Sequence, residues 1–242
     1  MTKRATYPRR GLHGEVVHTI GLQILRGELE PGDPLPAEEA LSVDQSVSRT
    51  VLREAIRVLA AKGLVQARPK TGTRVRPRAE WNVLDPDVLA WRVEAGPDGA
   101  LYEQVTEVRF GIEPQAARLS ATRATDEEIA GIREAFETME SGVKNQAVYL
   151  AGDLLFHEQI LTASHNELLG HLGTVLRAVF RTMFEYTTTS QTSRRRAIPL
   201  HGAIIDRIAA RDPDAAEQAM RTLIGDTAAD IRRTKLRESK PR

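Results

Sequence analysis

The chain has no cysteine, which excludes a disulfide scaffold and thiol chemistry and suits a reducing cytosol. No apolar run approaches the roughly 20 residues that a bilayer-spanning helix needs. The opening residues, MTKRATYPRR, carry charge without an apolar h-region behind them. The expectation is therefore no secretory signal, no membrane partner and a cytoplasmic protein. Internal repeats and low-complexity tracts are missing. So are a nucleophile–base pair and a glycine-rich phosphate loop, which counts against an enzyme. Net charge is nearly absent as well, at +1 over 242 residues.

That small net charge conceals a division. Residues 1–78 hold 14 Lys and Arg against 8 Asp and Glu, a balance of +6; the remainder hold 20 against 25, a balance of −5. A basic front and an acidic rear fit a nucleic-acid reader joined to a separate sensing domain. With 41% hydrophobic residues, the chain can bury a sizeable core and is expected to form two domains.

The stretch Leu35–Val75 organises the front. Ala37–Val43 reads as a short helix with Ala40, Leu41 and Val43 on its apolar face, and Gln45–Val47 as a turn. Ser48 is placed to cap a second helix, along which Val51, Leu52, Ala55, Val58 and Leu59 recur at helical spacing and face inward. Arg49, Arg53 and Arg57 fall four apart on a different face, which reads as cationic and single-signed. Two short helices across a tight turn, with cations projecting from the second, are how a helix-turn-helix meets a DNA major groove. Gly63 closes that helix. Leu64–Arg68 and Thr73–Arg76 then alternate around Pro69–Gly72, where Gly72 supplies the positive φ of a hairpin turn. Arg68, Lys70, Arg74 and Arg76 make this wing cationic and suited to phosphates. The plainer alternative is a helical subdomain with a solvated charged face.

Residues 27–32 (GELEPG), Leu35–Glu38, Val47–Arg49, Val51–Ala55, Leu59, Gly63–Val65 and Gly72–Val75 together resemble the winged-helix domain of GntR-type bacterial transcription regulators, over about residues 10–78. The resemblance implies that Arg49 and Arg53 reach base edges, that Ser48 and Thr50 hold phosphate, and that Lys70 to Gly72 form the wing tip. Many relatives carry an Arg where this chain has Glu39; an acid there repels phosphate, so its base preference is expected to differ from theirs.

Gly11–Leu29 reads as a helix packing beneath the reader through Val16, Val17, Ile20, Ile24 and Leu25, with Leu22 off that face. Pro31–Pro34 is a stop. Residues 79–99 form a joint in which Asp85 caps a short helix begun by Pro86. Both tryptophans, Trp81 and Trp91, lie here, and plain packing of the linker helix is the favoured role for them. The phrase from Trp81 to Trp91 also resembles the linker of galactonate-operon repressor-like members of the family. From 100 to 242 the pattern is all-helical, with helices expected at 100–122, 125–143, 146–164, 166–186, 194–210 and 213–236. Gly and Pro are read as lying between these segments. The capping box Thr125/Glu128 and the pair Asp212–Pro213 open two of them. The fold class is thus mostly α: a winged helix-turn-helix in 1–78, a linker helix in 79–99, and an antiparallel helical bundle in 100–242.

Within the bundle, Asp153 and His157 lie four apart on one helix and project together. A carboxylate and an imidazole can hold a divalent cation, and His201 from a later helix can complete one face. Equally, the three can act as hydrogen-bond partners only. Arg109 sits in an apolar register with Val105, Val108 and Ile112, where a cation must be paired. Its partner is either a ligand carboxylate, which a guanidinium grips in bidentate fashion, or Glu113 or Asp153. The run Arg194–Arg196 reads as a solvated loop entering a helix.

Glu107–Pro114, Asp153–His157, Asn166 and the segment from His201 to Met220 resemble the C-terminal FCD ligand-binding domain of the FadR branch of the same family. That resemblance implies a site of one Asp and three His for zinc, nickel or manganese. Here Leu223 replaces the third His, leaving Asp153, His157 and His201. It also implies that Arg109 anchors the effector's carboxylate. The expected function is a homodimeric DNA-binding regulator, a repressor, whose affinity for double-stranded operator DNA is set by a small organic acid such as galactonate. The alternatives are a regulator that senses the metal itself and a metal-assisted hydrolase or lyase.

Overall fold

Gly27 takes a left-handed conformation (φ 76°) and turns the chain back, its N–H donating to Ile24 O. Helix α1, Leu12–Arg26, therefore ends before the expected Leu29. Leu22 is 8% exposed rather than off the packed face, because α1 packs against two helices and buries a wider arc than one stripe. The computed structural model describes residues 11–35, 47–68, 72–96 and 99–238. The expected helix Ala37–Val43, Gln45 and Ser46 of the turn, Glu39 and Lys70 lie outside them. The chain divides into two compact units, Met1–Pro97 and Asp98–Arg242.

In the first unit, Ser48 caps helix α2, Arg49–Ala61, by accepting from the Val51 N–H at 3.3 Å. Leu52, Ala55 and Leu59 are fully buried, while Val51 and Val58 are half-buried at the edge of the same core. Strands β1 (Val65–Arg68) and β2 (Gly72–Val75) pair antiparallel, Val65 opposite Val75 and Arg68 opposite Gly72. Gly72 has the expected positive φ, 77°. The segment after Pro31 does more than stop a helix. Gly32 N–H donates to Val75 O and Leu35 N–H to Thr73 O, while Asp33 O accepts from Val75 N–H. This segment thereby covers the outer edge of β2, which would otherwise stand unpaired.

Asp85 accepts from the Asp87 and Val88 N–H groups and opens helix α3, Pro86–Glu94. The helix packs into the first unit's core through Val88 and Trp91. Trp91 is 4% exposed, and its ring lies where a Cβ on residue 21 would stand, 2.5 Å from the nearest ring carbon. Only glycine fits at 21. Lys62, just past α2, reaches Asp85 at 3.0 Å and Asp87 at 2.5 Å and lies over the Trp91 ring. Trp81 donates from Nε1 to Arg76 O.

The second unit holds α4 (Gly99–Arg123), α5 (Asp126–Ser141), α6 (Gln146–Ala163), α7 (Glu167–Thr187), α8 (Gln191–Ala209) and α9 (Pro213–Glu238). Caps place most boundaries. Thr125 and Glu128 form the reciprocal box, Asn145 and Asn166 cap α6 and α7, and Asp212 accepts from Ala215 N–H. Ser190 caps α8, so this helix starts earlier than expected. Two expectations fail here. Pro114 and Pro199 lie inside α4 and α8, and Gly111, Gly131 and Gly152 lie inside α4, α5 and α6, not between helices. Pro114 is buried, and its packing offsets the roughly 3 kcal/mol that an interior proline costs, whereas Pro199 is exposed. Arg194 is no solvated loop residue. It is buried and donates to the carbonyls of Val143, Thr188 and Thr189, which tie the α5–α6 and α7–α8 turns together.

Candidate functional site

Two surfaces carry the residues singled out from the sequence. In the first unit, Ser48, Arg49, Thr50, Arg53 and Arg57 are all exposed at and along α2, because the apolar stripe has turned the opposite side of the helix inward. The face is not single-signed, however. Glu54 pairs with Arg57 at 2.5 Å, as i,i+3 neighbours do on any helix surface. Nor are all wing cations available for phosphates: Arg74 donates to Gly32 O at 2.8 Å, and Arg76 pairs with Glu80. Arg68 is exposed and so is Gly72.

In the second unit, α4, α6 and α8 bring Arg109, Asp153, His157 and His201 to one buried point. Tyr149, Asp153 and His157 form a four-residue ladder along α6. The Nε2 atoms of His157 and His201 lie 3.4 and 3.3 Å from the same Asp153 Oδ1. Donor atoms from these three buried residues fall within 4.8 Å of one another. The second ring nitrogens are oriented from behind. His201 Nδ1 donates to Ala197 O at 2.9 Å, and His157 Nδ1 lies 2.8 Å from Glu113 Oε2, off the hydrogen-bond axis. Backing of this kind turns Nε2 lone pairs toward a cation. Asp153 Oδ1 and His201 Nε2 are buried without a hydrogen-bond partner, which is costly unless something sits between them. The donor set fits a divalent cation, with two imidazoles and one carboxylate. Leu223, 2% exposed, lines the same cavity and offers no donor.

Arg109 is 1% exposed. It grips Glu113 through Nε at 2.6 Å and Nη2 at 3.1 Å, with Nη2 also 3.3 Å from His157 Nε2 and the Phe184 ring against its guanidinium. Arg109 thus forms the internal pair with Glu113. The cation still lines the cavity. Burial would raise the Glu113 carboxyl, but Arg109 and His157 outweigh it and hold the group down at about 2. Asp153 is likewise held below the ordinary carboxylate range: burial opposes ionisation, and the two imidazoles overcome it. His157 is raised, because Glu113 and Asp153 outweigh its burial and the repulsion of Arg109. A proton and a metal ion thus compete for the same imidazole.

The cavity, about 30 Å3, is further lined by Tyr149, Thr187, Thr188, Ser193, Arg196 and Asp226. That is room for a cation and a water or two. Arg196 on α8 pairs with Asp226 at 3.0 Å and with Asp230, both on α9. This clasp lines one side of the cavity. The sequence reading missed Tyr149, Arg196, Asp226 and Asp230. The spacings 149–153–157 and 226–230 were the visible signals.

Residues 12–75 match the family described as "Bacterial regulatory proteins, gntR family", and residues 104–226 match "FCD domain". Over 221 residues the chain is 37% identical to the galactonate operon transcriptional repressor of Escherichia coli K12, covering 91% of this chain and 95% of that one. It is 33% identical over 202 residues to the transcriptional regulator LutR of Bacillus subtilis, covering 81% and 90%. Among solved structures, Lar of Listeria monocytogenes is similar with a TM-score of 0.59 at 18% identity, covering 94% of this chain and 99% of that one; this likeness speaks for the fold alone. Among the described residues, no helix is long and apolar enough to cross a membrane.

Proposed function

The chain belongs to the GntR family of bacterial transcription regulators, in the branch that carries an FCD domain, and from that premise we propose that it is an acid-responsive repressor acting as a homodimer in the cytoplasm. The DNA-binding reading rests on α2. Arg49 and Arg53 reach base edges, Ser48 and Thr50 hold phosphate, and Lys70 and Gly72 contact the adjacent backbone. Two copies related by a two-fold axis read a pseudo-palindromic operator, one half-site each.

The observation that carries the effector reading is the buried Asp153–His157–His201 cluster, with its unpartnered oxygen and nitrogen facing one point. These three residues would hold a divalent zinc, nickel or manganese ion, and a bound cation supplies a Lewis-acidic seat for carboxylate and hydroxyl oxygens. The aspartates Asp153, Asp226 and Asp230 outnumber Arg196, and Glu113 already balances Arg109. An acid approaching the metal-free pocket therefore meets net negative charge, and a divalent cation offsets it. The hydroxyl and charged side chains of the lining suit a polyhydroxy acid. The similarity to the galactonate operon repressor favours galactonate or another sugar acid. Arg109 supports the site from behind the cluster. A guest that displaces the Arg196 clasp shifts the balance of the helical unit's conformations, and through it DNA affinity, by a coupling of ~1–3 kcal/mol.

The test uses duplex DNA selected by the protein from a random pool, titrated with galactonate and other hexonates before and after chelator treatment. Release by a hexonate that is lost on chelation supports the proposal. Release by a divalent metal alone, with no response to any hexonate, replaces it with a metal sensor.

A further inference from the structure

We propose that Tyr149 is an effector-contacting residue, donating its phenolic hydrogen to an oxygen of the bound acid. The inference rests on the reading that this pocket takes an acid, and it goes further by assigning a contact to a named atom. Four buried polar atoms around the cluster lack a hydrogen-bond partner: Tyr149 Oη, Asp153 Oδ1, His157 Nδ1 and His201 Nε2. A cation accounts for Asp153 and His201, and Glu113 lies beside the His157 nitrogen. Tyr149 Oη is left over.

The other hydroxyls lining the cavity are engaged. Thr187 and Thr188 donate to carbonyls of their own helix, Ser193 pairs with Ser190, and Thr227 donates to Leu223 O. Tyr149 is buried and lines the cavity, and burying a hydroxyl unpaired is unfavourable, so its acceptor has to come from what the cavity holds. A neutral phenol is a poor metal ligand and a good donor to anionic oxygen. Its place one turn before Asp153, on the stripe that carries two cluster residues, puts the donor beside whatever an ion held there would bind. The phenol therefore helps choose oxygen-rich acids over apolar ones.

The experiment compares wild type with Tyr149→Phe by titration calorimetry, first with manganese alone, then with galactonate, gluconate, lactate and acetate on the manganese-loaded protein; thermal melting of both chelated proteins runs alongside. The expected result has three parts. Manganese affinity is unchanged within about twofold, affinity for the preferred acid falls roughly 10- to 100-fold, and the chelated variant melts no lower than wild type. If wild type binds a hexonate and the variant binds it equally well, Tyr149 is no contact and the sugar-acid reading survives. If wild type binds only lactate or acetate, and the variant binds it more weakly, the sugar-acid reading fails while Tyr149 keeps its role. Binding of no acid overturns both. A chelated variant that melts several degrees lower shows that the hydroxyl has a structural partner, and also overturns the assignment.

Discussion

Replacing Glu113 by Gln removes one charge from the most buried ion pair in the second unit. The carboxylate is 1% exposed and serves three contacts: Arg109 Nε at 2.6 Å, Arg109 Nη2 at 3.1 Å and His157 Nδ1 at 2.8 Å. Glutamine keeps one acceptor and presents an NH2 where the second oxygen stood, so a charge-assisted hydrogen bond to Arg109 and the charge attraction to His157 are lost. Leaving Arg109 buried without a counter-charge puts the loss at about 3 kcal/mol, the low end of the ~3–5 kcal/mol that breaking a buried pair costs. Full burial means solvent screening does not reduce this figure. With a urea slope of ~1–3 kcal/mol/M, the unfolding midpoint of the chelated protein should fall by about 1–3 M when followed by far-UV circular dichroism, which the helical second unit dominates. Both tryptophans lie in the first unit, so their emission should report an unchanged midpoint and serves as an internal control. Zinc affinity should drop ~10–100-fold as the imidazole loses its backing. A dichroism midpoint within about 0.3 M of wild type would refute the claim that Glu113 neutralises this pocket.

Arg53→Ala should weaken operator binding by roughly 10- to 100-fold with unchanged melting, since the side chain is exposed; unchanged affinity by gel shift would remove it from the reading surface. Burial pushes Lys62 down, but hydrogen bonds to Asp87 and Asp85 prevail and raise it above 10.5. Its bridge therefore stabilises the first unit in full below that pH and fades as pH climbs through the raised value. Tryptophan-detected melting should show a gap between wild type and Lys62→Met that closes in strong alkali, and a gap that persists there contradicts the assignment. Leu223→His should raise zinc affinity about tenfold or more by adding a donor. It should lower the melting point of the chelated protein, because ~1.5–3 kcal/mol of apolar burial is lost. Calorimetry and melting check both signs.

What the sequence revealed was local. Thr125 with Glu128, Asp85 with Pro86 and Asp212 with Pro213 mark helix starts because a cap is made by neighbours in the chain. The pair Asp153 and His157 was legible from i,i+4 spacing, while His201 could be named only as a candidate from a later helix, because its approach depends on tertiary packing. What stayed hidden depends on distant partners. Arg194 reads as solvated until Val143 O, 51 residues away, is seen to accept from it. Leu22 reads as off-face until α1 is found between two helices. Pro114 breaks a propensity rule that packing overrides. The sign of the α2 surface was misjudged for a simpler reason: Glu54 sits within reach of Arg57, and spacing alone shows it.

The fit of Trp91 against Gly21, with Lys62 bridged to Asp85 and Asp87 beside it, decides where this reader can be cut for transplantation. A chimera joined after Arg78 would strip the notch of its indole and strand a buried ammonium without counter-ions. A graft that keeps the native residues through Gly96 carries the whole first core with it, and a foreign sensor spliced beyond that residue inherits an intact head.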